Sequence, residues 1–299
     1  MKIGYYPGCS LLGSSREFDE SVRAVAKVIG LELVEVPDWN CCGASSAHVL
    51  DHTLSLALPA RILAQAEQAG LTEVLAPCAA CYNRLTSARA ALEADPEEAR
   101  KVAEVIEMPV TGKVAVVNIL EVLDRFQEVL KAKTVAPLGR KVACYYGCLL
   151  VRPPKVVNFD RPEDPTSMDR MAAAAGAEPV DWNYKTECCG AAFSVTRTEI
   201  VARMSGKIVA NAVKHGAEAI VVACPMCHSN LDMRRPEINA YLGGRQGAEA
   251  QHLAGTEHMP VLFITQALGL AMGLDPAALG LHRHMVPALA LQPVAVSKA

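Results

Sequence analysis

Eleven cysteines occur in the 299 residues, and ten of them fall into two sets with the same internal order. The first is Cys9, the adjacent pair Cys41 and Cys42, then Cys78 and Cys81, a C-x31-CC-x35-CxxC pattern. The second is Cys148, the pair Cys188 and Cys189, then Cys224 and Cys227, a C-x39-CC-x34-CxxC pattern. Cys144 is left over. The flanks repeat too: "YYPGC" answers "YYGC", "CCGA" recurs unchanged, and "VLAPCAACYNRL" parallels "IVVACPMCHSNL". Such self-similarity predicts a duplicated domain, residues 1–136 and 137–299, with the boundary in the "KAKTVAPLGRK" segment at 131–141.

An isolated CxxC in a reducing compartment commonly holds structural zinc, but a closed zinc site takes four ligands and each set offers five. Two neighbouring thiolates do not easily occupy adjacent corners around one small ion; they suit different metal atoms of a cluster. A thioredoxin-like reading of the CxxC pairs leaves Cys9, Cys41 and Cys42 without a role. Packing as small hydrophobes is expected of Cys144, which has Gly4 as its counterpart in the first copy. Iron–sulfur clusters use thiolates at this density, and a fifth thiolate is one more than a four-iron cubane needs, which points to an opened, non-standard cluster with room to change its ligation. Gly43 and Gly190, behind the cysteine pairs, would let the backbone turn sharply or approach the cluster closely.

Other polar residues near the sets carry weaker expectations. His228, after Cys227 and equivalent to Tyr82, could donate to a cluster sulfur or protonate a departing thiolate, or simply support and pack. Lys185, Arg152 and Lys155 could bind anionic groups of a substrate, set against a solvated basic face. His282 and His284 form an isolated H-x-H near the C-terminus, with nothing else in the sequence pointing to a metal there.

The elements that must position these residues read as α/β, two similar duplicated domains each with a mostly parallel sheet and flanking helices. Strands are expected at "KIGYYPG", "LELVEV", "EVLAP" and "KVAVVNI", and again at "KVACYYG", "EAIVVA" and "MPVLFIT". Helices are expected over 15–30, over 54–70 with Gly70 as a C-cap, and over 198–216. Every cysteine group then lies at the end of a strand or the start of the next helix. Ligand sites of open α/β sheets collect there, and a helix N-terminus favours thiolate.

The bulk composition agrees with a globular protein: 51% hydrophobic and 20% charged residues, enough for a sizeable core in each copy. A net charge of -3 and no Lys/Arg run predict neither a nucleic-acid nor a membrane-surface partner. "MKIGYYPGCS" lacks the pattern of a secretory signal, and the apolar 260–274 stretch is too short to span a bilayer, so a cytoplasmic protein without membrane insertion is expected. That stretch reads as a buried strand and helix.

With these motifs, over nearly the whole chain, the sequence resembles the cysteine-rich CCG-domain family, specifically the stand-alone B subunit of heterodisulfide reductases. Two departures stand out: the second copy is one residue short before its CxxC, and it carries about eight extra residues after Cys148 that suit a surface loop. The resemblance implies two noncubane [4Fe-4S] clusters at the interface of the two domains, one on Cys9, Cys41, Cys42, Cys78 and Cys81, the other on Cys148, Cys188, Cys189, Cys224 and Cys227. It implies a disulfide substrate between them, since two one-electron centres flanking one S–S bond can split it without releasing a free sulfur radical. The substrate would be the mixed disulfide of coenzymes M and B or, in a sulfur-oxidising type of complex, a sulfur or lipoyl-type compound. No ferredoxin cysteine run and no G-x-G-x-x-G after a strand is present, so electrons must come from elsewhere. The resemblance supplies two partner subunits for this, one ferredoxin-like and one flavin-containing. The alternative is an electron-transfer CCG subunit of a membrane-linked dehydrogenase.

Overall fold

The computed structural model describes residues 1–44, 46–244 and 255–288. The first half runs β1 (Lys2–Tyr5), α1 (Gly8–Leu12), α2 (Arg16–Ile29), β2 (Glu32–Glu35), α3 (Ala47–Leu50), α4 (His52–Gln68), β3 (Glu73–Leu75), α5 (Ala79–Ala94), α6 (Pro96–Ile106), β4 (Ala115–Val117), α7 (Ile119–Asp124) and α8 (Gln127–Lys133). The second runs β5 (Lys141–Tyr145), α9 (Ser167–Ala174), β6 (Glu178–Pro179), α10 (Thr198–Lys214), β7 (Ala219–Val222), α11 (Pro225–Asp232), α12 (Arg235–Gly243), β8 (Val261–Phe263) and α13 (Ile264–Ala271).

Each half is a four-stranded parallel sheet, ordered β2-β1-β3-β4 and β6-β5-β7-β8, so the repeat read from the cysteines is a repeat of topology. Central strands such as β7, with Ala219, Ile220, Val221 and Val222 all buried, are short and continuously apolar because helices cover both faces. All seven expected strands are present. The eighth, β6, pairs with β5 through only two residues and had no counterpart in the sequence reading. The 260–274 stretch is β8 and α13. Helix α4 is capped by Ala69, with Gly70 just beyond at φ +71°.

Both halves carry a sizeable core, and the larger cluster of buried residues is continuous through both sheets, with a smaller one around Leu56, Leu92 and Val102 in the first half. Helix α2 buries Phe18, Val22, Val25 and Ile29 and packs against α13 of the other half. Phe18 stacks on Phe263 with ring centroids 4.0 Å apart, and Ser21 and Thr265 share a buried hydrogen bond of 2.7 Å.

Candidate metal centre

The first cysteine of each set follows a strand through a glycine that no other residue could replace without strain. Gly8 and Gly147 have φ of +63° and +67°. A Cβ on Gly8 would sit 3.1 Å from the Cys81 sulfur, and one on Gly147 would sit 2.9 Å from the Cys227 sulfur. Both places demand glycine twice over, for backbone conformation and for room beside a sulfur. At the CxxC motifs, Cys78 and Cys224 occupy the N-caps of α5 and α11, and Cys81 and Cys227 lie one turn inside. The helical turn brings the two sulfurs of each motif together, at the end of the helix that favours negative charge.

The adjacent pairs divide their labour. Cys41 and Cys188 are exposed, whereas Cys42 and Cys189 are buried. Gly43 and Gly190, at φ +73° and +84°, turn the backbone behind them as expected. Their backbone N–H groups face the sulfurs of Cys41 and Cys188, the latter at 3.3 Å, and those of Ala44 and Ala191 face Cys42 and Cys189. This is a small nest of donors for thiolates. The close neighbours of the two glycines are helix residues, Leu58 and Ala47 for Gly43 and Val201 and Met204 for Gly190, not sulfur.

The thiols form matching contacts in the two copies. Cys9 meets Cys41 at 3.9 Å as Cys148 meets Cys188, Cys42 meets Cys81 at 3.4 Å as Cys189 meets Cys227, and Cys78 meets Cys81 as Cys224 meets Cys227. The two quintets then adjoin: Cys78 and Cys224 stand close enough across the domain interface for each to shift the other's ionisation, Cys78 upward and Cys224 downward. Helix α1, carrying Cys9, packs on α11 of the other half. Reciprocally, Asn83 of α5 donates to the carbonyls of Leu149 and Arg152, beside Cys148, at 3.2 and 2.7 Å.

Crowded thiols cannot all ionise, and their protons are shared unevenly. Hydrogen bonds from Cys41 and Cys81 pull Cys42 down to about 3, and the bond to Cys148 pulls Cys188 down to about 6. Cys41 is pushed up by its bond to Cys42, then by burial; Cys148 is pushed up by its bond to Cys188, then by burial. Five convergent thiols per set, Cys42 in the first and Cys188, Cys189 and Cys224 in the second pulled toward thiolate beside their hydrogen-bonding neighbours, fit an iron–sulfur cluster in donor type and in space. The residues that would hold one are the ten expected cysteines. Cys144, in the middle of β5, is fully buried, and burial holds it as a neutral thiol.

Tyr6 and Tyr145 were missed by the sequence reading. Each donates its hydroxyl to the carbonyl of the residue before a cysteine pair, Tyr6 to Asn40 at 2.9 Å and Tyr145 to Glu187 at 2.7 Å. The available signal was the repeated "YY", but not which tyrosine: one fewer residue between strand and glycine in the second copy passes the role from the second tyrosine to the first. Asn230 was also missed; its amide donates to the Cys189 carbonyl at 3.2 Å and to the Cys189 sulfur at 3.4 Å.

The remaining candidates lie apart from the sulfurs. Lys185 is not on a solvated face: it is 6% exposed, with its ammonium 3.1 Å from both Asp164 and Asp169. It closes the extra loop onto α9. Arg152 pairs with Glu163 and reaches Thr186, and Lys155 is exposed on the same loop. The ring of His228 stacks on Phe263 at 4.4 Å, and its Nε2 lies 3.2 Å from the Val261 carbonyl. His284 lies edge-on beside it, and His282 is exposed.

Comparison with known proteins agrees with this construction. The family described as "Cysteine-rich domain" (CCG) matches residues 3–86 and again 142–232. The chain is 33% identical to the 8-methylmenaquinol:fumarate reductase membrane anchor subunit of Wolinella succinogenes, over 97% of this chain and 99% of that protein. It is 30% identical to the B subunit of the ferredoxin/F(420)H(2)-dependent CoB-CoM heterodisulfide reductase of Methanosarcina acetivorans, over 95% of this chain and 94% of that one. A hypothetical protein from Helicobacter pylori shares the fold with a TM-score of 0.72 at 12% identity, over 96% of this chain, which spans about half (52%) of that one. With both halves matched and relatives similar from end to end, the chain belongs to the cysteine-rich CCG domain family.

Proposed function

We propose that this chain is the iron–sulfur redox subunit of a heterodisulfide reductase-like complex, its ten set cysteines holding two noncubane [4Fe-4S] clusters that together reduce or form a disulfide. The observation that carries the reading is the placement of Cys78 beside Cys224 across the two halves, which sets two five-thiol groups next to each other. The net reaction is R–S–S–R′ + 2 e⁻ + 2 H⁺ giving two thiols, or its reverse. The clusters would supply the one-electron steps. The chain's own residues hold the thiolates, turn the backbone away from the sulfurs at Gly8 and Gly147, and leave Cys9, Cys41 and Cys188 open to a substrate. The substrate is CoM-S-S-CoB or a sulfur or lipoyl-type compound. Electrons pass to or from two partner subunits, one ferredoxin-like and one flavin-containing, in the cytoplasm.

A second reading, an electron relay in a membrane-linked dehydrogenase, is favoured by the similarity to the fumarate reductase membrane anchor. Among the described residues no helix is long and apolar enough to cross a membrane. Apolar side chains nevertheless stand exposed after both cysteine pairs, Val49 and Leu50 at 76% and 73% and Val195 at 91%, which supports coverage of this edge by another protein of the complex.

The test is iron and acid-labile sulfide on anaerobically purified protein, with EPR before and after adding a thiol or disulfide. About eight irons per chain and a signal that changes with thiol support the catalytic reading. Intact clusters silent to every thiol favour the relay, and zinc without iron overturns both.

A further inference from the structure

The second copy contains a group of ligand-type side chains that the cysteine chemistry does not use. His228, Asp232 and His284 each offer a ligand atom, and these atoms lie within 4.8 Å of one another. His228 and Asp232 are 2% and 1% exposed. A fourth group arrives from the first half: the Glu17 carboxylate, 6% exposed, stands 3.7 Å from His228 Nδ1.

Two features of this group point to a ligand. Nδ1 of His228 and Nδ1 of His284 are both buried and have no hydrogen-bond partner. Buried ring nitrogens are ordinarily satisfied, and orphaned ones need a cause. His228 meanwhile has its other nitrogen on the Val261 carbonyl, the arrangement by which proteins orient a metal-ligating imidazole. The second feature is charge. Asp232 accepts from the Met285 and Val286 N–H groups, at 2.7 and 3.0 Å, and the two basic side chains nearest the group are held elsewhere. Arg235 is engaged by the carbonyls of Thr256 and Met259, and Arg283 by Glu20. One carboxylate and two imidazoles whose ligand atoms share one small space, with the Glu17 carboxylate beside His228 but outside that trio, are a donor set for a small divalent cation.

We propose that His228, Asp232 and His284 form a mononuclear site for a divalent cation of the zinc type, distinct from the cysteine sets, which ties α11 to the turn after α13, with the Glu17 carboxylate of α2 beside His228. Among the described residues the first copy has no equivalent. At the position of His228 it has Tyr82, beside Asn118 and Glu121. One ion per chain is therefore expected. Loading through His284 Nδ1 places a proton on Nε2, which lies 2.9 Å from the Gln266 amide nitrogen, so the Gln266 side chain has to shift.

The experiment uses the full chain, anaerobically purified with its iron content intact and incubated with one equivalent of zinc. Metal analysis is expected to give one zinc per chain. Zinc-edge X-ray absorption should show nitrogen and oxygen neighbours at about 2.0–2.2 Å and no sulfur at about 2.3 Å. His284→Ala and Asp232→Asn should each lower zinc affinity at least tenfold with iron per chain unchanged. No bound zinc, a sulfur shell, or undiminished affinity in both variants overturns the proposal. Should neither variant fold, the neighbour shell of the wild-type protein decides alone. Iron and sulfide content reports separately on the cluster reading.

Discussion

At the scale of single residues, adjacent cysteines work because a tight turn sends their side chains opposite ways. Cys41 and Cys188 face outward, Cys42 and Cys189 inward, and the positive φ of Gly43 and Gly190 aims successive N–H groups back at the sulfurs. The sequence reading picked these two glycines and the ten cysteines, because a duplicated motif exposes itself by comparison with its own copy. It passed over Gly8 and Gly147, although a glycine precedes the first cysteine in both sets, because closeness to Cys81 and Cys227 is visible only once α5 and α11 are in place. Gly147→Ala forces a left-handed backbone costing about 1–2 kcal/mol, in addition to the crowding of Cys227. Iron per chain should fall to about half of the wild-type value, two clusters becoming one, and Gly8→Ala should do the same through Cys81. The tyrosines are supports. Tyr6→Phe and Tyr145→Phe each remove one hydrogen bond worth about 1 kcal/mol, and should lower the thermal midpoint by a few degrees with most of the iron retained.

At the scale of elements, the strands and their following helices were legible because parallel-sheet strands are short apolar runs and the cysteines punctuate them. Strand β6 was not, because two residues containing a proline carry no periodicity and exist as a strand only through β5. The loop after Cys148 was legible as an insertion, but not how it is fastened. Lys185 holds it, contacting Asp164 and the Pro165 carbonyl on the loop and Asp169 on α9, while Asp160 accepts from the N–H groups of Thr166 and Ser167. A basic residue beside a cysteine pair reads from sequence as available to substrate; burial among carboxylates makes it structural. Lys185→Met leaves Asp169, itself only 18% exposed, without its cation. Breaking a buried pair from one side costs about 3 kcal/mol or more. The expected result is a lower denaturation midpoint and proteolysis within residues 149–166, with the first cluster's iron retained.

At the scale of the whole molecule, one core serves both copies. Residues 1–136 expressed alone would lose the packing of α13 on α2 and bare Phe18 and Ser21, so the fragment should aggregate or fail to give a cooperative melt, as circular dichroism and size-exclusion chromatography would show. The duplication, the α/β class, the membership of each cysteine in its set and a ligand count too high for a closed zinc site are all legible along the chain, because they follow from residue types and their separations. Folding alone adds that Cys78 stands beside Cys224, that Lys185 is a buried tie, and that His228, Asp232 and His284 converge with Glu17 beside His228. Those contacts join residues tens to hundreds of positions apart, and what brings them together is the packing of one half on the other, which leaves no local periodicity in the sequence to read.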